Sequence, residues 1–130
     1  MRLLTRDEIL NASDMVTEVV PTPEWGEDTG IMVRRLTAKE RDKYESEYMD
    51  VKENSVKVPE QFRAPLVVMA AITDDFKPLF TMQDLEKLAL KSGAPIHRAF
   101  VVIARLSGMK KEALEESKKG SPAPDSLPIT

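Results

Sequence analysis

The side chains that could carry acid–base or nucleophilic chemistry are few in this chain. His97 is its single histidine and cysteine does not occur. Any Ser-His-Asp arrangement would have to use His97, while thiolate nucleophiles, thiolate metal sites and disulfides are all excluded. His97 lies between Ile96 and Phe100 on a predicted helix, where a histidine at the edge of the core is the commoner situation. We therefore predict a packing role for it.

Metal-binding and phosphate-binding signatures do not occur in the sequence. Asp74-Asp75 precedes Pro78 in a pattern typical of a turn, and neither an EF-hand loop nor an HExxH motif occurs. The five glycines form neither GxGxxG nor GxxxxGK[ST]. The sequence predicts no catalytic, cofactor-binding or metal-binding residues, and we expect a protein that is not an enzyme.

A helix-turn-helix motif is the DNA-binding alternative. In the stretch 85–102, Ala89 and Gly93 have the spacing of the small residue and the turn glycine of that motif. The positions that would face a DNA groove are Pro95, Ile96, Phe100 and Val101. Base reading requires polar side chains there, and the cations of this second helix are limited to Arg98 and Arg105. A DNA-binding regulator remains the less favoured alternative.

Length and charge narrow the class of protein further. A chain of 130 residues is the size of one domain with a single core. Its net charge is −3, whereas binding through nucleic-acid phosphates calls for a basic excess. The opening Met1–Glu8 has no signal-peptide pattern, and no apolar run approaches the roughly 20 residues that span a bilayer. We expect a cytosolic protein that binds neither nucleic acid nor membrane.

The N-terminal third predicts a short helix followed by a hairpin. Thr5 and Glu8 form a capping box for a helix at 6–11. The β-branched stretch Met15–Val20 and the stretch Ile31–Leu36 predict two strands, joined by turn residues at 26–30. The hairpin is therefore expected to span residues 15–36.

The remainder of the chain predicts helices. A second capping box at Thr37 opens a charged helix through Asp50, and Lys52–Pro59 is predicted as a loop. The stretch Phe62–Ile72 is apolar nearly all round and predicts the central core helix, with Pro65 in its first turn.

Further helices are expected after the central one. The next should run from Thr81 to Lys91 and end with Gly93 in the left-handed position after the helix. Pro95 should start another helix that ends at a glycine, and Lys110–Lys119 reads as a short amphipathic piece. The Pro- and Ser-rich Gly120–Thr130 predicts a flexible tail.

The predicted fold is therefore α+β and mainly α, with an N-terminal β-hairpin packed on four to five helices. Residues 1–119 should form one compact domain, with the hairpin at 15–36, the helical part at 37–119 and the tail at 120–130. The expected core residues are Leu66, Met69, Leu88, Phe100 and Ile103. Large apolar side chains outside this core are the candidates for partner binding, and they are Trp25, Leu114, Leu127 and Ile129.

The order of several segments carries a family resemblance. These are Leu3–Leu10, Thr17–Val20 with Pro23–Gly26, Val33–Asp42, Lys77–Thr81 with Asp84-Leu85 and Lys91-Ser92, and Arg105–Met109. In this order they resemble the tail assembly chaperones of long-tailed bacteriophages and prophages. The resemblance covers residues 3–109, and none of its segments is a catalytic signature.

The resemblance implies a set of partners and a location. Such a chaperone binds the tape measure protein, helps recruit tail tube subunits in the bacterial cytoplasm, and is absent from the mature virion. The family also implies a longer form of the chain made by ribosomal frameshifting. A structural tail or virion component is a further alternative, and homo-oligomerisation stays open.

Overall fold

The computed structural model of this chain describes residues 1–48, 50–52, 55–57 and 61–109. Within those ranges the α-helices are α1 (Arg6–Leu10), α2 (Ala38–Tyr48), α3 (Arg63–Ala70), α4 (Leu85–Ala89) and α5 (Gly93–Leu106). The strands are β1 (Thr17–Pro21), β2 (Gly30–Arg34), β3 (Asp50–Lys52), β4 (Ser55–Lys57) and β5 (Ala71–Ile72). The predicted α+β, mainly helical fold with an N-terminal hairpin is confirmed. The predicted helix at 110–119 and the predicted tail at 120–130 lie outside the described residues.

The predicted hairpin forms two thirds of a three-stranded antiparallel sheet with the order β1-β2-β5. Strands β1 and β2 pair from Thr17 opposite Arg34 to Pro21 opposite Gly30. Strand β5 pairs with β2 through Ile72 opposite Met32. Because β1 has a neighbour on one side alone, it is an edge strand of this sheet.

Two predictions about the middle of the chain were wrong. The core helix was expected to reach Ile72, but it ends at Ala70, and Ala71 adopts extended backbone angles (φ −78°, ψ 136°). In so short an apolar run, the sequence pattern of a helix cannot be distinguished from that of a buried strand. Pairing with β2 decides in favour of the strand for Ala71 and Ile72. The expected loop at 52–59 includes part of a small hairpin, in which β3 pairs with β4. Three-residue strands are too short to produce an alternating pattern in the sequence.

Helix α3 is the centre of the core. Its residues Ala64, Pro65, Leu66, Val67, Val68 and Ala70 are all buried. A helix that is apolar all round must be covered on every side, and here the sheet, α4 and α5 all pack against it. Leu88, Phe100 and Ile103 are buried as predicted, whereas Met69 is half-buried at the edge of the cluster. Tyr44 of α2 is also fully buried and donates its hydroxyl to the Phe62 carbonyl.

The prediction for Gly93 was wrong: it is the first residue of α5 and not the left-handed end of the preceding helix. Helix α4 ends through tight three-residue turns, in which Leu90 N–H donates to Lys87 and Lys91 N–H donates to Leu88. Because these turns already satisfy the terminal carbonyls, no left-handed residue is needed there. Gly93 instead follows Ser92, whose extended backbone separates the two helices.

Gly108 terminates helix α5, as predicted, in a Schellman motif that follows the last helical residue, Leu106. Gly108 has a φ of 69°, its N–H donates to Arg105, and the Met109 N–H donates to Ala104. Two arginines from the preceding hairpin and helix satisfy further carbonyls at this end. Arg35 Nε donates to Leu106, and Arg41 Nη1 donates to Ser107 and Gly108. Cations near the carboxyl end of a helix also interact favourably with its dipole.

A bidentate ion pair joins the sheet to the helices. Both terminal nitrogens of Arg34 donate to the carboxylate of Glu40 at 2.8 Å, and Arg34 Nη2 also reaches the Met69 carbonyl at 3.3 Å. Glu40 completes the predicted capping box, since it accepts from the Thr37 N–H at 2.9 Å. The pKa of Glu40 is lowered to about 2, chiefly by its hydrogen bonds from Arg34. The Arg34–Glu40 ion pair therefore links the end of β2, the start of α2 and the end of α3.

Leu66→Ala should destabilise the domain strongly. Leu66 is 0% exposed, and truncation of a leucine in a packed core costs about 2–5 kcal/mol. The matched control is Leu90→Ala, because Leu90 is 86% exposed, and it should change the free energy of unfolding by less than about 0.5 kcal/mol. Urea melts followed by circular dichroism measure both. Equal losses in the two variants would contradict the assigned core.

Glu40→Gln should remove an acid-sensitive part of the stability. The pKa of Glu40 is lowered from 4.5 to about 2 in the folded protein, so its stabilisation is present above the unfolded value and is lost as the pH falls through that window. We expect the variant to lose about 1–3 kcal/mol at neutral pH and to show a weaker decline between about pH 4.5 and pH 2.

The control for Glu40→Gln is Glu45→Gln, which removes the partner that accepts from Arg41 across one exposed turn at 3.0 Å. Exposed pairs of this spacing contribute about 0.3–0.5 kcal/mol, so this variant should keep the acid dependence of the natural chain. Urea melts at a series of pH values measure both, and a Glu40→Gln variant with an unchanged acid dependence would contradict the role of the ion pair.

Candidate protein-binding surface

The first sixteen residues form an arm, and none of its side chains is buried in the core. All sixteen are exposed, and α1 contains no buried residue. The helix is held by the capping box that the sequence predicted, with Thr5 N–H donating to Glu8 at 2.9 Å and Glu8 N–H donating to Thr5 Oγ1 at 3.2 Å. Arg2 adds an ion pair to Glu8 at 3.1 Å. A helix of five residues is far below the length that is stable alone in water, about 12–15 residues.

The arm carries apolar side chains that the described chain leaves mostly exposed. Leu3 is 84% exposed and Ile9 is 55% exposed, and Leu4 and Leu10 are also more than half exposed. Soluble proteins seldom leave such clusters uncovered, and contiguous apolar surface marks an interaction site. The arm, with its capped helix and its exposed leucines and isoleucine, is therefore the strongest candidate for partner binding.

The arm is tied to the domain at its base. Arg35 Nη1 donates to the Asp14 carbonyl at 2.6 Å, and Arg35 N–H donates to the Val16 carbonyl at 2.9 Å. Near this anchor, Met15 and Val19 are exposed apolar residues on one face of the segment. Arg35 therefore sets where the arm leaves the sheet.

Trp25, a residue that the sequence suggested for partner binding, lies at the other end of the hairpin. It ends a 3₁₀ turn, Pro23–Trp25, and 37% of it is exposed. The loop around it is closed by Thr29, whose Oγ1 lies 2.7 Å from both the Thr22 and the Gly26 carbonyl oxygens and can donate its one hydrogen to either. Five residues of β1 separate Trp25 from the arm, a span of about 17 Å. The structure therefore does not bring Trp25 and the arm into one site.

The other suggested partner-binding residues, Leu114, Leu127 and Ile129, lie outside the described residues. Sequence reasoning missed Leu3, Leu4, Ile9 and Leu10. The available signal was their placement in, or directly before, a capped helix that is too short to build a buried face of its own.

Helix α5 holds the hairpin through two arginines. Arg98 donates to Glu24 at 2.9 Å and to the Pro21 carbonyl at 2.7 Å, and this hydrogen bonding is the largest cause that lowers the pKa of Glu24. Seven residues further along α5, Arg105 donates to Glu18 at 2.7 Å. These cations thus bind side chains of this chain's own hairpin.

The positions of α5 that a DNA-reading helix would present lie mostly in the core. Pro95 and Ile96 are buried, as is Phe100, whereas Val101 is exposed. The face that carries these buried residues packs on α3 and the sheet. The geometry is that of a core helix packed on a sheet and not that of a helix free to enter a groove.

His97 is half-buried at the side of α5 and accepts a hydrogen bond at Nδ1 from Arg63 Nε at 2.9 Å. The guanidinium of Arg63 also lies 4.4 Å from the centre of the Phe62 ring. These side chains line an open cleft of about 500 Å³ together with Lys91 and Ile96. Within the described residues no three His, Asp or Glu side chains are close enough to hold a metal ion.

No protein-family model, curated protein or solved structure matches this chain. None of the helices within the described ranges is long and apolar enough to cross a bilayer. The chain's own surface is therefore the basis for inferring what it binds, and the uncovered arm is the most distinctive feature of that surface.

Deletion of residues 1–10 should leave the stability of the domain nearly unchanged. The deleted residues bury no side chain, so we expect a change in the free energy of unfolding within about 0.5 kcal/mol. Val20→Ala is the comparison, since Val20 is buried and its truncation should cost at least about 1 kcal/mol. Urea melts compare the three proteins. A loss above about 1 kcal/mol on deletion would mean that the arm packs on the domain.

Proposed function

We propose that this protein is a tail assembly chaperone, which binds the tape measure protein and helps recruit tail tube subunits during phage tail assembly. The observation that carries the proposal is the N-terminal arm, a capped helix that exposes its apolar side chains and buries none. The order of segments described in the sequence supports the same family. The proposed place of action is the bacterial cytoplasm, with no chaperone retained in the finished virion.

The chemistry of the arm suits a helical, aggregation-prone partner. An amphipathic segment with closely spaced apolar anchors is a common ligand for a helical groove or a partner helix. The charged side chains of residues 2–8 are paired among themselves, Arg2 with Glu8 and Arg6 with Asp7. Binding by the arm would therefore depend on apolar burial more than on the charge of the partner.

The expected strength of one such contact is low, which suits a chaperone that must release its client. Full burial of a leucine or isoleucine contributes about 1.5–3 kcal/mol, and four partly exposed side chains would contribute about 4–6 kcal/mol in total. The loss of translational and rotational freedom on association offsets about 4 kcal/mol or more. One arm would thus bind weakly, and many copies along one long chain would bind by avidity.

The alternatives have less support. A helix-turn-helix regulator would need the side of α5 that carries Ile96 and Phe100, and both are buried. Its candidate phosphate-binding cations, Arg98 and Arg105, are paired with Glu24 and Glu18. No feature of the described surface favours a structural virion component over an assembly factor.

Co-expression with a phage tape measure protein tests the proposal. We expect the tape measure protein to be soluble and to co-purify with the natural chain. A variant with Leu4→Ser, Ile9→Ser and Leu10→Ser should lose this effect while remaining folded, because the three side chains are each more than half exposed.

The matched control carries Phe76→Ser and Leu90→Ser, at exposed apolar positions away from the arm, and it should solubilise the tape measure protein fully. A tape measure protein that is equally soluble without the chain would overturn the proposal. Mass spectrometry of purified virions provides a second readout, because finding the chain there as a stoichiometric component would favour a structural role.

A further inference from the structure

The outer side of β1 is an open row of backbone hydrogen-bonding groups. The Val16 carbonyl accepts from the N–H of Arg35, the residue that follows β2, at 2.9 Å. The Thr22 N–H donates to the Thr29 carbonyl, also at 2.9 Å. The N–H and C=O groups of even-numbered residues in this segment therefore point toward β2. Because the direction alternates along a strand, those of the odd-numbered residues point away from the sheet. Among the described residues, none pairs with the backbone groups of Thr17 or Val19 on that outer side.

The backbone groups at the two edges of the sheet differ in whether other residues bind them. At the β5 edge, Leu79 N–H donates to Ala71 at 3.0 Å and Thr73 N–H donates to Lys77 at 2.8 Å, so a returning segment covers the strand. At the β1 edge, Pro21 lacks an N–H, and its carbonyl accepts from Arg98 at 2.7 Å. The β1 edge is thus closed at its far end and open over residues 15–19.

We propose that a second copy of this chain binds at this open edge, so that the two β1 strands pair antiparallel and the two sheets become one of six strands. The twofold axis would pass beside Thr17. The proposal concerns the strand edge at the base of the arm and not the exposed side chains of residues 3–10, and it does not depend on the proposed function.

The open stretch is self-complementary in one register. With Thr17 opposite Thr17 of the second copy, Met15 lies opposite Val19, and the outward groups of all three residues find partners. The next symmetric register, centred on Glu18, would place two carboxylates opposite each other and would set Pro21, which has no donor, against Met15. Like charges directly opposite each other destabilise a strand pair, so the register centred on Thr17 is favoured.

The side chains support the same register. Val19 is 61% exposed and Met15 is also exposed, and pairing would place each against the other on the face of the sheet that points away from α5. Thr17 would meet its own copy, and threonine pairs are favourable across strands. On the opposite face Val16 would meet Glu18, whose charge is already neutralised by Arg105 at 2.7 Å.

A symmetric occupant fits better than a foreign strand. The open stretch runs from Met15 to Val19, bounded by the linker to α1 on one side and by Pro21 on the other. Its midpoint is Thr17, which is also the centre of the favoured register, so the same five residues complete each other's hydrogen bonds. This is the isologous arrangement of twofold dimers, in which one patch binds its own copy.

Sedimentation equilibrium of the full chain tests the dimer. We expect a concentration-dependent species of twice the 14.6 kDa chain mass. Val19→Lys should weaken it by about tenfold or more, because a lysine on an exposed edge strand opposes edge pairing. Val19→Pro should do the same, since it removes an N–H that points outward and takes part in no described bond of the fold. The exposed control Leu90→Lys should dimerise like the natural chain.

Disulfide trapping tests the register, because the chain has no cysteine of its own. In Thr17→Cys the two sulfurs would lie on opposed residues, within the Cα separation of about 4.4–6.8 Å that a disulfide needs, so a covalent dimer should form. In Val19→Cys the two positions would be about 13 Å apart along the strands, and trapping should fail.

Amide hydrogen exchange keeps the test independent of any variant. The amides of Thr17 and Val19 should gain protection as the protein concentration rises, whereas those of Glu18 and Val20, which face β2, should be protected throughout. A single 14.6 kDa species at about 1 mM, where weak complexes are populated, would overturn the proposal. A dimer that persists in both Val19 variants, or that traps through Val19→Cys and not Thr17→Cys, would overturn it as well.

Discussion

The burial of one short helix that has no polar side determines how the sheet and the two helices beside it are placed. Helix α3 is apolar all round, so it must be covered by the sheet on one side and by α4 and α5 on others. The amphipathic face of α5, with Ala99, Phe100 and Ile103 buried, supplies most of that cover. Burial of apolar surface is the largest favourable contribution to folding, and here it fixes which faces of the neighbouring elements remain available to solvent and partners.

Charged side chains then determine the orientation of elements that apolar packing alone would leave loosely placed. Arginines on or beside β2 and on α5 reach backbone carbonyls at helix and strand ends as well as carboxylates: Arg34 reaches Met69, Arg35 reaches Leu106 and Asp14, and Arg98 reaches Pro21. A planar guanidinium with five donors suits such bridging better than an ammonium group. The hairpin is thereby held to α5 along its length, while the arm before it leaves from a defined point.

Local chemistry predicted the helix starts well and the strand pairings poorly. The capping boxes at Thr5, Thr37 and Thr81 and the glycine end at Gly108 all form, because each depends on residues three or four apart. Strand β5 depends on Met32, forty residues earlier in the chain, and no local pattern carries that information. The arm was missed for a related reason: sequence shows that Leu3 and Ile9 are apolar but not that the folded domain offers them no cover.

The junction between α3 and β5 couples the two layers of the molecule mechanically. Ala70 ends the helix and Ala71 begins the strand, with no residue between them to act as a flexible joint. A rotation of the helix about its axis would have to drag the strand with it and break its hydrogen bonds to β2. Relative sliding of helices and sheet is therefore blocked at that point, and a pull on the hairpin is transmitted directly into the core. A molecule built in this way resists distortion as a single block until it yields all at once.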